Sequence, residues 1–262
     1  MLSKQKIKYV QSLKLKKFRD EHQVFVVEGE KMALELIGDK SIEIEQIIAI
    51  ETWIQAHQNA LKPHFNKILT ATEADLKQIS NLTTPNKVFV IVKKEAPQSR
   101  PLRDGALAPY FEEKMHHNFT LYLDGIQDPG NLGTILRIAD WFSIPYIFCS
   151  PETVEVWNPK VIQSSMGAFL RVSTQEVDFL DLKKRFPDVP IFATVINGDN
   201  IFEVKKDKNP TQGIIVIGNE GKGVSEAVLK MSDFKISIPG GGGAESLNAA
   251  VATGIVCSIL KS

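Results

Sequence analysis

Residues 213–218 read Gly-Ile-Ile-Val-Ile-Gly, four β-branched residues with no polar interruption. A strand with one wet face alternates; this one does not, so it expects cover on both faces. That is the pattern of a parallel sheet flanked by helices. The run ends in Asn219-Glu220-Gly221-Lys222-Gly223-Val224-Ser225. An amide, a carboxylate and free backbone groups are thereby set beyond the strand's carboxyl end, where open α/β sheets bind ligands.

Two further strand ends carry similar chemistry. Residues 234–238 form a short apolar strand leading into Pro239 and four glycines, Gly240–Gly243, then Ala244-Glu245-Ser246-Leu247-Asn248. A buried, nearly all-apolar helix is expected from about Ser246, with Ser246 as its cap and Asn248 in its first turn. Residues 119–123 predict another strand, followed by a turn-rich connector at 124–130 and a helix over 131–142. Asn131 can cap that helix. Arg137 lies on a different face from Leu136, and three readings stand: a surface cation, a buried ion-pair partner, or an anion contact. Between these stations the pattern predicts strands at 145–149 and 190–196 and a helix at 177–186. A helical start is expected at Pro159, extended chain at 169–172 and an exposed loop over 197–212.

The N-terminal third reads as a smaller α/β domain. Residues 4–19 predict one basic helix carrying Lys4, Lys6, Lys8, Lys14, Lys16, Lys17 and Arg19, with no acid before Asp20. Such a run is a solvated face or a phosphate-contacting patch. Strands follow at 23–27, 44–50, 68–69 and 88–93, with helices at 31–37, 52–61 and 73–79, the last capped by Thr72. Glu28, at a strand-to-helix change, caps local amides or meets a basic group. Domains are expected at 1–95 and 118–262, joined by a linker at 96–117 that holds four Pro or Gly residues, Arg100, Arg103 and the pair His116-His117.

Several classes are disfavoured. The formal net charge is zero, so bulk charge announces no polyanion partner. There is no Walker loop, no G-x-G-x-x-G after residue 123 and no Ser/His/acid or Cys/His nucleophilic set. Cys149 and Cys257 have no metal-ligand spacing and read as reduced core residues. With no apolar leader and no run of 18 apolar residues, the expectation is a cytoplasmic protein without membrane contact and without a metal.

Taken together, Asn131-Leu-Gly-Thr-Ile-Leu-Arg137, Ile217-Gly-Asn-Glu-Gly-Lys-Gly-Val-Ser225 and Ile238-Pro through Glu245-Ser-Leu-Asn248 resemble the TrmH/SpoU branch of the SPOUT RNA methyltransferases. The first domain, with Phe25-Val-Val-Glu-Gly29 after a basic helix, resembles that family's RNA-binding extension and, in fold, ribosomal protein L30e. The resemblance implies an α/β chain with a C-terminal parallel-sheet domain tied in a trefoil knot. Ordinary connection rules would not suggest such a knot. It also implies a homodimer through that domain, S-adenosylmethionine as methyl donor, and methylation of a ribose 2′-hydroxyl in structured RNA. The 23S ribosomal RNA is the first expectation and transfer RNA the second; a non-catalytic RNA-binding protein is the contrasting class.

Carried onto this chain, the resemblance places Gly218, Asn219, Ile238, Leu247 and Thr194 at the donor. Arg137, Asn131, Glu220, Ser246 and Asn248 fall on the catalytic side, and Lys14, Lys16, Lys17, Arg19 and Glu28 on the RNA. Family members often carry a bulkier or basic residue where this chain has Gly240–Gly243. Arg137 carries a delocalised cationic guanidinium, so orienting phosphate or developing oxygen charge is easier for it than acting as a base. Glu220 reads as a loop-holding residue more than as an acid or base.

Overall fold

The computed structural model describes residues 1–94 and 118–261. The linker at 96–117, with its arginines and paired histidines, lies outside the described residues. The chain divides into two compact units. One contains residues 1–94 together with Trp157–Gly167; the other contains residues 118–156 and 168–261.

The first unit is built on a four-stranded sheet ordered β1-β4-β2-β3: β1 (Val24–Glu28), β2 (Ile44–Ile50), β3 (Ile68–Ala71) and β4 (Val88–Lys93). β4 pairs antiparallel with β1 and β2, and β2 pairs parallel with β3. The expected basic helix is two helices, α1 (Lys4–Ser12) and α2 (Lys16–His22). The break has a physical cause. Leu13 is fully buried, and the Arg19 guanidinium turns inward so that Nη1 donates to the Leu13 and Lys14 carbonyls, both at 2.8 Å. α3 (Glu30–Gly38), α4 (Glu51–Ala56), α5 (Gln58–Leu61) and α6 (Glu73–Ile79) complete the unit's helices up to residue 94. Thr72 caps α6 in a capping box with Asp75. Ile7, Val10 and Leu13 join Ile48, Phe89 and Ile91 in one apolar cluster, so the basic helix is held by its dry side.

The second unit carries a six-stranded sheet ordered β10-β8-β9-β5-β6-β7, with every neighbouring pair parallel. Its strands are β5 (Phe119–Asp124), β6 (Tyr146–Cys149), β7 (Ser173–Glu176), β8 (Ile191–Asn200), β9 (Gly213–Gly218) and β10 (Phe234–Ser237). β9 lies inside the sheet, and Gly213 through Ile217 are buried, as the uninterrupted apolar run expects. α7 (Pro129–Trp141) follows β5. α8 (Pro159–Ser165) lies in the segment that belongs to the first unit. α9 (Phe179–Arg185), α10 (Ile201–Lys208), α11 (Glu226–Met231) and α12 (Ala249–Leu260) complete the α-helices among the described residues. α12 packs on α7, with the Ile138 side chain beside Gly254.

Four expectations need correction here. The loop expected over 197–212 is the end of β8 followed by α10. Asn200 caps α10 through the Phe202 N–H, and Ile201 and Val204 are buried beneath it. The strand's polar end is held by β10 after a register shift, and a side chain at Gly198 would collide with the Lys235 carbonyl at 2.5 Å. Residues 169–172 are not extended: a 3-10 turn covers Ala168–Leu170, and the polar edge strand β7 comes after it. The cap of α12 is Asn248, not Ser246, and the cap of α7 is Asp128, not Asn131.

Candidate active site

The three stations meet at the carboxyl ends of the second unit's strands. Asp128 Oδ1 accepts from the Asn131 N–H at 2.9 Å and starts α7, with Pro129 in its first turn. Asn131, one turn in, is thereby free to use its side chain elsewhere. Its Nδ2 donates to Glu220 Oε1 at 2.8 Å, and its Oδ1 accepts from Asn248 Nδ2 at 2.8 Å. One hydrogen-bonded chain, Asn248–Asn131–Glu220, therefore ties the third station to the first and the first to the second. Asn248 serves twice, because its Oδ1 also accepts from the Ala250 and Val251 N–H groups that open α12.

Glu220 also receives the Gln127 and Asp128 N–H groups at 3.4 and 3.3 Å. Desolvation pushes its carboxyl upward, but the bonds from Asn131 and from the backbone outweigh it and hold the pKa below the usual value. Asn219 shapes the loop around it. Its Oδ1 accepts from the Gly221 and Lys222 N–H groups, and its Nδ2 donates to the Gly125 carbonyl at 2.6 Å. Reciprocal backbone bonds between Asn219 and Gly223 close the turn. The turn folds back over Gly218, where a Cβ would lie 2.3 Å from the Gly223 carbonyl carbon and the Val224 nitrogen. Only glycine fits there.

The donor-side candidates lie on, at the end of, or just past three neighbouring strands. Thr194 on β8 donates its hydroxyl to the Val216 carbonyl at 2.8 Å, Gly218 ends β9, and half-buried Ile238 follows β10. Beyond Ile238 the chain changes character. Residues 240–247 are exposed and enter no hydrogen bond among the described residues, and a Cβ on any of Gly240–Gly243 would touch nothing within 4 Å. Leu247 is 49% exposed. Uncommitted amides beside exposed apolar side chains suit an adenosine moiety, which needs both. Ser246 is exposed in this stretch and makes no contact with the network. Arg137 is exposed on α7 and also stands outside the network.

The RNA-side candidates divide. Lys14, Lys16 and Lys17 are exposed at the break between α1 and α2. Arg19 is 1% exposed and spends Nη1 on two carbonyls, so it serves the fold rather than a surface contact. Glu28 is buried, and its Oε1 accepts from Ser80 Oγ at 2.7 Å and the Asn86 N–H at 3.0 Å.

Sequence reasoning passed over four supporting groups. Asp128 had a visible signal, an acid directly before a helix-opening proline. Asp124 accepts from the Ser225 N–H at 2.7 Å, and buried Ser150 accepts from the Gly125 N–H at 3.0 Å, next to Thr153. Thr153 in turn donates to the Leu123 carbonyl at 3.0 Å, so these three act across gaps of 25 to 101 residues, with no local pattern to mark them. Among the described residues, no group of three or more His, Cys, Asp and Glu is placed to hold a metal ion. Cys149 and Cys257 are buried free thiols, each pushed up to about 12 by desolvation.

Known proteins carry the same architecture. The SpoU rRNA Methylase family matches residues 118–258, and the MRM3-like substrate binding domain matches residues 4–90. The 23S rRNA (guanosine(2553)-2′-O)-methyltransferase RlmP of Bacillus subtilis is 26% identical over 98% of this chain and 96% of its own. A TrmH-family protein of Porphyromonas gingivalis is 32% identical, with a TM-score of 0.79 over 99% of this chain and 98% of its own. The AdoMet-bound rRNA methyltransferase of Sinorhizobium meliloti, at 24% identity, shares the fold, with a TM-score of 0.80 over 98% of this chain and 94% of its own. Fold and site together define an RNA methyltransferase. The chain belongs to the SpoU rRNA Methylase family.

Proposed function

We propose that this chain methylates a ribose 2′-hydroxyl of ribosomal RNA, with 23S ribosomal RNA as the first candidate. The observation that carries the reading is the Asn248–Asn131–Glu220 chain, which ties three separate loops together at the strand ends. The relatives' chemistry supports the product, since the B. subtilis protein is named for 2′-O-methylation of 23S rRNA. The donor is S-adenosylmethionine, which supplies an electrophilic methyl group and needs no metal. The open amides of 240–247 and the Leu247 side chain suit its adenosine, with Gly218, Asn219, Ile238 and Thr194 around it.

The protein's own task is alignment and charge placement. Asn131 and Asn248 are held in fixed amide orientations where the three loops meet. In this reading Arg137, exposed and outside the network, orients RNA phosphate and stabilises charge developing on the ribose oxygen. Ser246 lies in the open stretch between donor and RNA. Lys14, Lys16 and Lys17 offer phosphate contacts on the first unit, which follows the ribosomal protein L30e pattern in this reading. A trefoil knot belongs to the same reading. It is supported by a last strand, β10, at the sheet edge beyond β8, and by a final helix that returns to α7, the helix after β5. So does a homodimer through this unit, supported by Trp141 on α7, 84% exposed, and Val251 on α12, 52% exposed.

Arg137→Ala is expected to lower methyl transfer to unmodified 23S transcript by at least about 100-fold while leaving donor affinity by calorimetry unchanged. Equal turnover in variant and parent would sink the assignment. Transfer to RNA carrying 2′-deoxyribose at the target would point to a base instead.

A further inference from the structure

The first unit contains a cleft of about 330 Å³ that the methyl-transfer site does not use. One wall is the α1–α2 break and the residues after α6: Lys14, Asn81 and Leu82. The other wall is the start of α8, which is anchored to the same unit where Trp157 stacks on fully buried Phe25 with ring centroids 4.4 Å apart. That wall presents Asn158, Lys160 and Gln163. The floor is apolar, made by Val10, Val26 and Ile79, with Glu28 at its edge.

We propose that this cleft receives one unstacked nucleobase of the RNA substrate, with Asn81, Gln163 and Glu28 meeting the base edge and Lys14 and Lys160 meeting its flanking phosphates. The proposal rests on the methyltransferase reading and extends it to a recognition subsite. Five features favour this occupant.

The volume lies at the small end of ligand sites, roughly 300–1,000 Å³, which suits a nucleotide better than a peptide. The floor offers an apolar surface to a base face, and RNA recognition commonly uses bases splayed out of a helix. The rim offers amides uncommitted to the fold: the side chains of Asn81 and Gln163 make no hydrogen bond among the described residues. Asn158, by contrast, is spent on the Lys160 N–H. Glu28 has one oxygen occupied by Ser80 and Asn86, and its second accepts nothing among the described residues. A carboxylate oxygen there selects for N–H donors, which a base edge carries and a phosphate lacks. Finally, the domain that matches residues 4–90 is described as substrate binding.

Asn81→Ala and Gln163→Ala test the subsite, because neither removes a bond the fold uses. Gln58→Ala, exposed on the same unit, is the control. The probe is unmodified 23S ribosomal RNA transcribed in vitro, read by filter binding and by methyl incorporation. Each cleft variant should weaken RNA binding about fivefold, as expected for a hydrogen bond of ordinary net strength, and the pair more than either alone. Methyl transfer at saturating RNA, donor affinity and the control's RNA affinity should stay at the parent's values. Unchanged RNA affinity in both cleft variants, with transfer intact, overturns the subsite alone. A binding difference with no transfer by the parent overturns the methyltransferase reading alone. Unchanged affinity together with no transfer overturns both.

Discussion

Glu220 offers the sharpest test of whether the network positions groups or performs proton chemistry. Its carboxylate accepts one short bond, from Asn131 Nδ2 at 2.8 Å, and two long ones from backbone N–H groups. Glu220→Ala removes all three. A bond to a charged group contributes about 1.5–3 kcal/mol when sheltered, but Glu220 is exposed and solvent screening reduces that to about 1 kcal/mol. In a domain of this size that lowers the melting temperature by roughly 2–4 °C. The kinetic effect should be larger. Without an acceptor at 220, Asn131 keeps only the bond from Asn248, its Nδ2 loses the partner that ties it to the second station, and a group misplaced by about 1 Å can cost about 100-fold in rate. We expect kcat/KM of Glu220→Ala to fall about 10- to 100-fold. Glu220→Gln still presents an amide oxygen to Asn131 and should stay within about fivefold of the parent. The pH dependence follows from the depressed carboxyl. The ionised form's contribution is present above the ordinary carboxylate pKa and disappears only as pH falls through the lower folded value. Between about pH 6 and 9, profiles of parent and Glu220→Gln should therefore be parallel. Tritiated methyl incorporation against RNA concentration reads both variants. If Gln is as damaging as Ala and the pH profile changes shape, Glu220 is an acid–base group and the positioning account fails.

Two further perturbations separate packing from openness and structure from recognition. Gly218→Ala drives a Cβ into backbone 2.3 Å away and should destabilise the chain by about 3 kcal/mol. Gly241→Ala meets open space and should stay within about 0.5 kcal/mol in a denaturant melt. Arg19→Ala strips two carbonyls of their donor and should cost about 2–3 kcal/mol, yet leave RNA affinity per folded molecule unchanged; a selective loss of RNA binding would restore Arg19 to the interface.

The sheet and the site were legible to different depths. β9 could be read from its apolar run, because a strand covered on both faces leaves no choice of pattern. β2 and β4 likewise follow their apolar blocks to the residue. β8 was cut short because Asn197–Asn200 look like loop, whereas its partner β10 supplies the ladder they need. The break between α1 and α2 was hidden for a related reason. A run of lysines suggests one wet helix, and only the fold shows that its last cation, Arg19, is used inward. The three stations were visible as amide- and glycine-rich strand ends, and their hydrogen-bonded union was not, since Asn131 is 89 residues from Glu220 and 117 from Asn248.

The displaced cap of α12 bears on function as well as on helix boundaries. Ser246 as cap would have left Asn248 inside the helix with its amide to satisfy. As the cap, Asn248 divides its two atoms between tasks: Oδ1 holds two helix N–H groups and Nδ2 reaches Asn131. Asn248→Asp separates those tasks. Aspartate caps as well as asparagine and suits the positive helix start, so the melting transition should move by no more than about 0.5 kcal/mol. The new carboxylate, however, places an acceptor against Asn131 Oδ1. Asn131 must then turn its single NH2 group to one carboxylate, at 248 or at 220, and leave the other unserved. The cap survives and the link between stations breaks. Methyl transfer should drop about tenfold with donor affinity near the parent's, because the amides of 240–247, proposed above for the donor, are untouched. Full activity in a folded Asn248→Asp variant would show that the cap, rather than the hydrogen-bonded chain, is what this position contributes.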